Sequence, residues 1–168
     1  VLKYVGIALI MLTSWSIGYI EVKTINTKIN VLESCIFMID MLCSELRFSH
    51  SSSAAIINTL SCNNQLDKLD FIKNCNNLCR KGISFPIAYK QALNESQLPI
   101  SDEDKKLLFK IGQVLGACDV NGQVELLAGI KTQMLSSMRQ AKEAGTSKSK
   151  LYSTISFWGG IGIAILLI

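Results

Sequence analysis

Hydrophobic and polar positions divide this chain into three stretches. Residues 4–20, YVGIALIMLTSWSIGYI, and residues 151–168, LYSTISFWGGIGIAILLI, contain no charged side chain. Between them the apolar positions recur at helical spacing with polar residues on the other side. At 1.5 Å rise per residue, the second apolar run would extend roughly 27 Å as a helix, close to the roughly 30 Å hydrocarbon core of a bilayer. Both runs therefore read as membrane spans. The expected organisation is an anchor at 1–20, a helical domain at 21–149 and a second transmembrane helix at 150–168. The first run follows Lys3, as the apolar centre of a signal peptide would. The small-x-small triplet it offers, Ser14-Trp15-Ser16, has a bulky centre, and apolar residues continue to Ile20. A retained anchor fits better than a cleaved signal.

The middle stretch predicts helices only. Val22, Ile25, Ile29, Leu32, Ile36, Ile39, Cys43 and Leu46 alternate three and four residues apart, a heptad stripe. Phe37, Met38, Met41, Leu42 and Phe48 widen that face, which suits a helix inside a bundle. His50 and the following serines break the pattern and offer an N-cap to a short helix from Ala54 to about Cys62. Asn63-Asn64 predicts a turn. The next helix is expected from Gln65 to Lys81, with Leu66, Leu69, Ile72, Cys75, Leu78 and Cys79 on one face and Gly82 to end it. Pro86 suits the first turn of a helix to about Glu95, burying Ile87, Ala88, Ala92 and Leu93. Ser101, followed by Asp102, Glu103 and Asp104, is a helix start. That helix carries Leu107, Leu108, Ile111, Val114 and Leu115, with Gly112 and Gly116 spaced for close packing. The last helix presents Val124, Leu127, Ile130, Met134 and Met138 and runs to about Ala144, where Gly145-Thr146-Ser147 loosens the approach to the second span. The predicted fold class is all-α: about six helices between two transmembrane helices, the two long helices side by side.

Charge sets the expected topology. Lys3 precedes the first span, Lys23 and Lys28 follow it, and Lys131, Arg139, Lys142, Lys148 and Lys150 precede the second. The positive excess puts the middle in the cytoplasm and both termini outward. A net charge of +4 without basic clustering argues against nucleic-acid binding. Ser14 and Gly18 in the first span, and Ser156, Gly160 and Ala164 in the second, are small residues four apart that would let helices pack closely.

Catalytic chemistry is hard to assemble from these residues. Cys35, Cys43, Cys62, Cys75, Cys79 and Cys118 are expected as free thiols, given a cytoplasmic domain. Cys75 and Cys79 form only a loose pair, His50 is the lone histidine, and Gly159-Gly160-x-Gly162 lies in an apolar run without a lysine. No catalytic, cofactor or metal residue is expected. Candidate docking residues are Glu45, Asp119 and a basic face of Lys105, Lys106 and Lys110. Two other readings stay open: a coiled-coil membrane tether or two-span signalling protein, and a membrane enzyme using Cys75 and Cys79 for thiol or metal chemistry.

Three segments carry a family resemblance: LESCIFMIDMLCSELRF (32–48), LLFKIGQVLGACDVNGQ (107–123) and KLYSTISFWGGIGIAILLI (150–168). With the N-terminal anchor, this layout resembles the stage III sporulation protein AB family of endospore-forming bacteria over nearly the full length. Glu45, Leu46 and Phe48 match one family pattern; Gly112, Gly116, Asp119 and Gln123 match a second; Tyr152 matches a third. The cysteine-rich interior departs from it. The resemblance implies a non-enzymatic platform or adaptor in the channel complex linking mother cell and forespore, held in the mother-cell membrane around the forespore. It implies a cytoplasmic part similar to a domain of the inner-membrane platform protein of type II secretion. The implied partners are a cytoplasmic secretion-type ATPase of the same operon, other membrane components of the channel, and the lipid bilayer.

Overall fold

The first heptad stripe forms part of one unbroken helix, α1 (Leu2–Phe48). The computed structural model describes the backbone of residues 2–48, 52–115 and 119–167, and the side chains of 23–48, 52–115 and 119–146. The described residues form six α-helices and one 3-10 turn, without a strand. After α1 come α2 (Ser53–Ser61), α3 (Asp70–Arg80), α4 (Phe85–Glu95), α5 (Asp102–Val114) and α6 (Val120–Leu167). The all-α class expected from the apolar spacing is therefore correct. Among the described residues no helix is long and apolar enough to cross a membrane. The expected spans at 1–20 and 150–168, with Ser14, Gly18, Ser156, Gly160 and Ala164, fall outside the residues whose side chains are described.

The chain divides into two compact units, Asn30–Met138 and Val1–Ile29 with Arg139–Ile168. In the second of these, a Cβ at Gly145 would lie 3.1 Å from Ile25 Cγ2, so α1 and α6 are in contact there. That packing gives Gly145 a use inside a helix. The expected loosening at 145–147 does not occur, and α6 continues through those residues.

Within Asn30–Met138, one apolar core is assembled from every helix. Cys35, Met38, Ile39 and Leu42 of α1 meet Ile56, Ile57 and Leu60 of α2, Phe71, Ile72 and Cys75 of α3, and Leu127, Ile130 and Met134 of α6. Lys131 of α6 donates to Asp40 of α1 at 2.5 Å, tying the two long helices together beside that core. The buried arc of α1 is broader than the heptad stripe. Val31, Cys35, Met38 and Leu42 are buried, whereas Ile36 and Cys43 are only half-buried. Several helices pack on α1, and a wide arc meets them where a two-helix seam would not. Phe48, in the last turn, lies beyond the core and is 82% exposed.

Two expected elements differ in detail. The predicted helix 65–81 is interrupted, because Asn63 starts a competing turn. Its side chain accepts from the Gln65 amide at 2.9 Å, and the 3-10 turn Asn64–Leu66 follows. Leu66 and Leu69 are still buried, but α3 begins only at Asp70. The predicted helix after Ser101 ends at Val114, with Leu115 extended at ψ 109° as its C-cap. Gly116 lies outside the described residues, as do His50 and Cys118.

Candidate docking surface

The site is best built from the α4–α5 pair, beginning with the turn that aims α4. Gly82 has φ +88°, the left-handed conformation that suits glycine. With it in place, the Gly82 amide donates to the Cys79 carbonyl at 3.0 Å and the Ile83 amide to the Leu78 carbonyl at 3.2 Å. This pair of bonds closes α3 as a Schellman motif. Two residues later α4 begins, with Pro86 in its first turn. Its buried face is rotated from the expected one. Phe85, Ala88, Tyr89, Ala92 and Leu93 point inward, and Ile87 is 62% exposed. The aromatic residues outcompete Ile87 for the interior because they bury more apolar area.

Tyr89 fixes how α4 meets α5. Its ring stands edge-on to Phe71 and tilted against Phe85, both at 5.6 Å between centroids. Its hydroxyl donates to the Leu108 carbonyl at 3.1 Å. On α5, Gly112 lies against the ring, where an added Cβ would fall 2.8 Å from Tyr89 Cε1. The absent side chain is what lets the ring lie there. At its start α5 is held by a capping box: Ser101 Oγ accepts from the Asp104 amide at 3.2 Å, and Asp104 Oδ2 accepts from the Ser101 amide at 3.4 Å. Asp104, read from the sequence as one of the helix-start acids, is fully buried in this arrangement.

The outer faces of α4 and α5 leave a groove of about 1080 Å³ between them. Tyr89 and Gly112 line it, with exposed Ile87 and half-buried Phe109 as apolar walls. Lys90 and Gln113 add polar atoms. Glu95 also lines it and already accepts from Gln91 at 3.0 Å.

The predicted docking residues are spread over three elements. Glu45 is half-buried near the end of α1. Asp119 is exposed just ahead of α6, and its backbone carbonyl accepts from the Gln123 amide at 3.0 Å. Lys105, Lys106 and Lys110 share α5. Lys105 is half-buried and reaches the Ser96 carbonyl at 3.5 Å, whereas Lys106 and Lys110 are exposed. The sequence reading missed Ile87, Lys90 and Phe109 as surface features. The signal that could have found them was the pairing of Tyr89 with Gly112, which turns α4 and leaves Ile87 outside.

The described thiols are free. Burial first, and then the Asp104 carboxylate, push the Cys35 thiol up to about 12. Burial first, and then neighbouring Cys79, do the same for Cys75, also to about 12. Burial also drives the Tyr89 hydroxyl well above its ordinary value. Thiols held protonated in this way are poor nucleophiles. Among the described residues no group of three or more His, Cys, Asp or Glu side chains could hold a metal ion.

Comparison with known proteins gives the lineage. No curated protein matches the chain. A solved structure titled stage III sporulation protein AB is similar, at 16% identity, a TM-score of 0.62, and coverage of 71% of this chain and 97% of that one. At that identity the likeness speaks for the fold. The family model described as stage III sporulation protein AB matches residues 3–168. With nearly every residue inside that match, the chain belongs to the stage III sporulation protein AB family.

Proposed function

We propose that this protein is a non-enzymatic membrane platform in the channel complex between mother cell and forespore, and that its helical domain docks a cytoplasmic secretion-type ATPase. The observation that carries this reading is the family match over residues 3–168. The uncharged runs at 4–20 and 151–168 support two membrane spans, and the lysines flanking them support a cytoplasmic helical domain with both termini outward. The remaining channel components would meet the spans, where Ser14, Gly18, Ser156, Gly160 and Ala164 supply small faces.

Two observations weigh against the rival readings. A coiled-coil tether needs an apolar seam on α1 open to a second chain, yet Cys35, Met38, Ile39 and Leu42 are buried by helices of the same chain. A thiol enzyme needs an accessible thiolate, yet Cys75 is buried and held protonated.

The test is co-purification of the ATPase with the full-length chain from sporulating cells. The wild-type chain is expected to retain the ATPase. Charge reversal at Glu45, Asp119, Lys105, Lys106 and Lys110 is expected to keep the helical signal and weaken retention. Failure of the wild-type chain to retain the ATPase would overturn the reading.

A further inference from the structure

We infer that the basic residues of α1 and α6 nearest the two uncharged runs form a collar that gathers anionic phospholipids around the chain. This rests on the membrane reading proposed above and names the lipid class those ends select. The first ground is where the charge lies. Residues 21–29 and 139–150 hold Lys23, Lys28, Arg139, Lys142, Lys148 and Lys150 against two acids, Glu21 and Glu143. These stretches alone carry a net +4, as much as the entire chain. Residues 30–138 hold ten Lys and Arg against eleven Asp and Glu, so the bundle supplies none of the excess.

The second ground is the backbone that carries this charge. α1 and α6 continue unbroken through both stretches, so each basic residue stands at a set distance from its run. Ile25 lies five residues beyond the first run, Gly145 lies six residues before the second, and the helices are in contact there. They therefore meet at nearly equal distances from the two runs. At 1.5 Å rise per residue, Lys23 and Lys148 lie about 4.5 Å from the runs, within the roughly 5–7 Å depth of a headgroup layer. Lys28 and Lys142 lie about 12–14 Å from them, which is within a Debye length of that layer. Lys23, Arg139 and Lys142 are exposed and Lys28 is half-buried. The phosphates of anionic lipids are the counter-charge that lies beside such residues, and juxtamembrane basic clusters attract them. The same residues orient the chain in the proposed topology. Lipid selection is a separate property, read in a bilayer whose two faces are alike.

The test reconstitutes the full-length chain in symmetric vesicles of phosphatidylcholine and phosphatidylglycerol, and reads quenching of tryptophan fluorescence by the acyl-brominated form of either lipid. Trp15 and Trp158 are the two tryptophans, and both lie in the uncharged runs. The collar variant carries Lys23→Gln, Lys148→Gln and Lys150→Gln together. The control carries Lys68→Gln, Lys81→Gln and Lys90→Gln, three exposed positions of the bundle with the same change in net charge. The wild-type chain is expected to favour phosphatidylglycerol about threefold or more at low salt, and less as salt rises. The collar variant is expected to lose that preference and the control to keep it, with circular dichroism unchanged in both. Quenching by neither brominated lipid would mean that the runs do not enter the bilayer, and would overturn the membrane reading and the inference together. Quenching by both lipids alike in the wild-type chain would overturn the inference and spare the membrane reading. That is also the result expected if an acidic protein segment, and not lipid, covers the collar. A preference that survives in the collar variant, or that the control loses equally, would overturn the assignment to these residues.

Discussion

At Gly112 a single hydrogen atom stands where any other residue would press on Tyr89. The Tyr89 ring cannot simply turn away, because Phe71 and Phe85 hold it and its hydroxyl is bonded to Leu108. Gly112→Ala gains helix propensity of about 1 kcal/mol, but forces a shift in a packed core that costs roughly 1–3 kcal/mol. A lower denaturation midpoint is expected, and an unchanged midpoint would mean that the ring is looser than its contacts imply. Cys35 and Cys75 make a second prediction at this scale. An unfolded thiol titrates near its ordinary 9.0, whereas both are held up to about 12 in the fold. Above about pH 9 the unfolded chain has released protons that the folded chain keeps, so stability falls as pH rises. The contribution is full below that pH and is lost progressively towards about pH 12. Melting temperature measured from pH 7 to 11 is expected to decline, and to decline less steeply in a chain carrying Cys35→Ala and Cys75→Ala.

At the scale of elements, the caps decide where helices begin and end. Ser101→Ala removes one half of the capping box of α5 and leaves the buried Asp104 without its serine hydroxyl. A loss of about 1–2 kcal/mol is expected by urea denaturation. A loss near zero would mean that tertiary packing alone holds the start of α5. Capping signals were also the most legible part of the sequence. Ser101 and Gly82 act through local backbone bonds, so their roles can be read without knowing the fold. The face of α4 could not be read that way. Ile87 and Tyr89 both fit an apolar stripe, and only the presence of Gly112 on another helix puts Tyr89 inside. The break before α3 was hidden for a similar reason, since Leu66 and Leu69 keep helical spacing while Asn63 diverts the backbone. Lys105, Lys106 and Lys110 were legible as a set, but their division into one anchored and two outward-facing lysines depends on Ser96, in the connection that follows α4.

At the scale of the whole molecule, the chain has a helical bundle at 30–138 and ends that contain the uncharged runs 4–20 and 151–168. In the proposed function those runs hold the bundle at a bilayer. The proposed function depends on which side of that bilayer the bundle occupies, because an ATPase works where nucleotide is held. The most direct measurement labels protoplasts expressing the chain with a membrane-impermeant maleimide. The six native cysteines are replaced, and single cysteines are introduced by Lys148→Cys or appended after Ile168. Labelling at the appended cysteine alone is the predicted result, and it leaves the bundle on the cytoplasmic side within reach of the ATPase. Labelling at position 148 alone would contradict the account, since the bundle would then face away from any cytoplasmic partner.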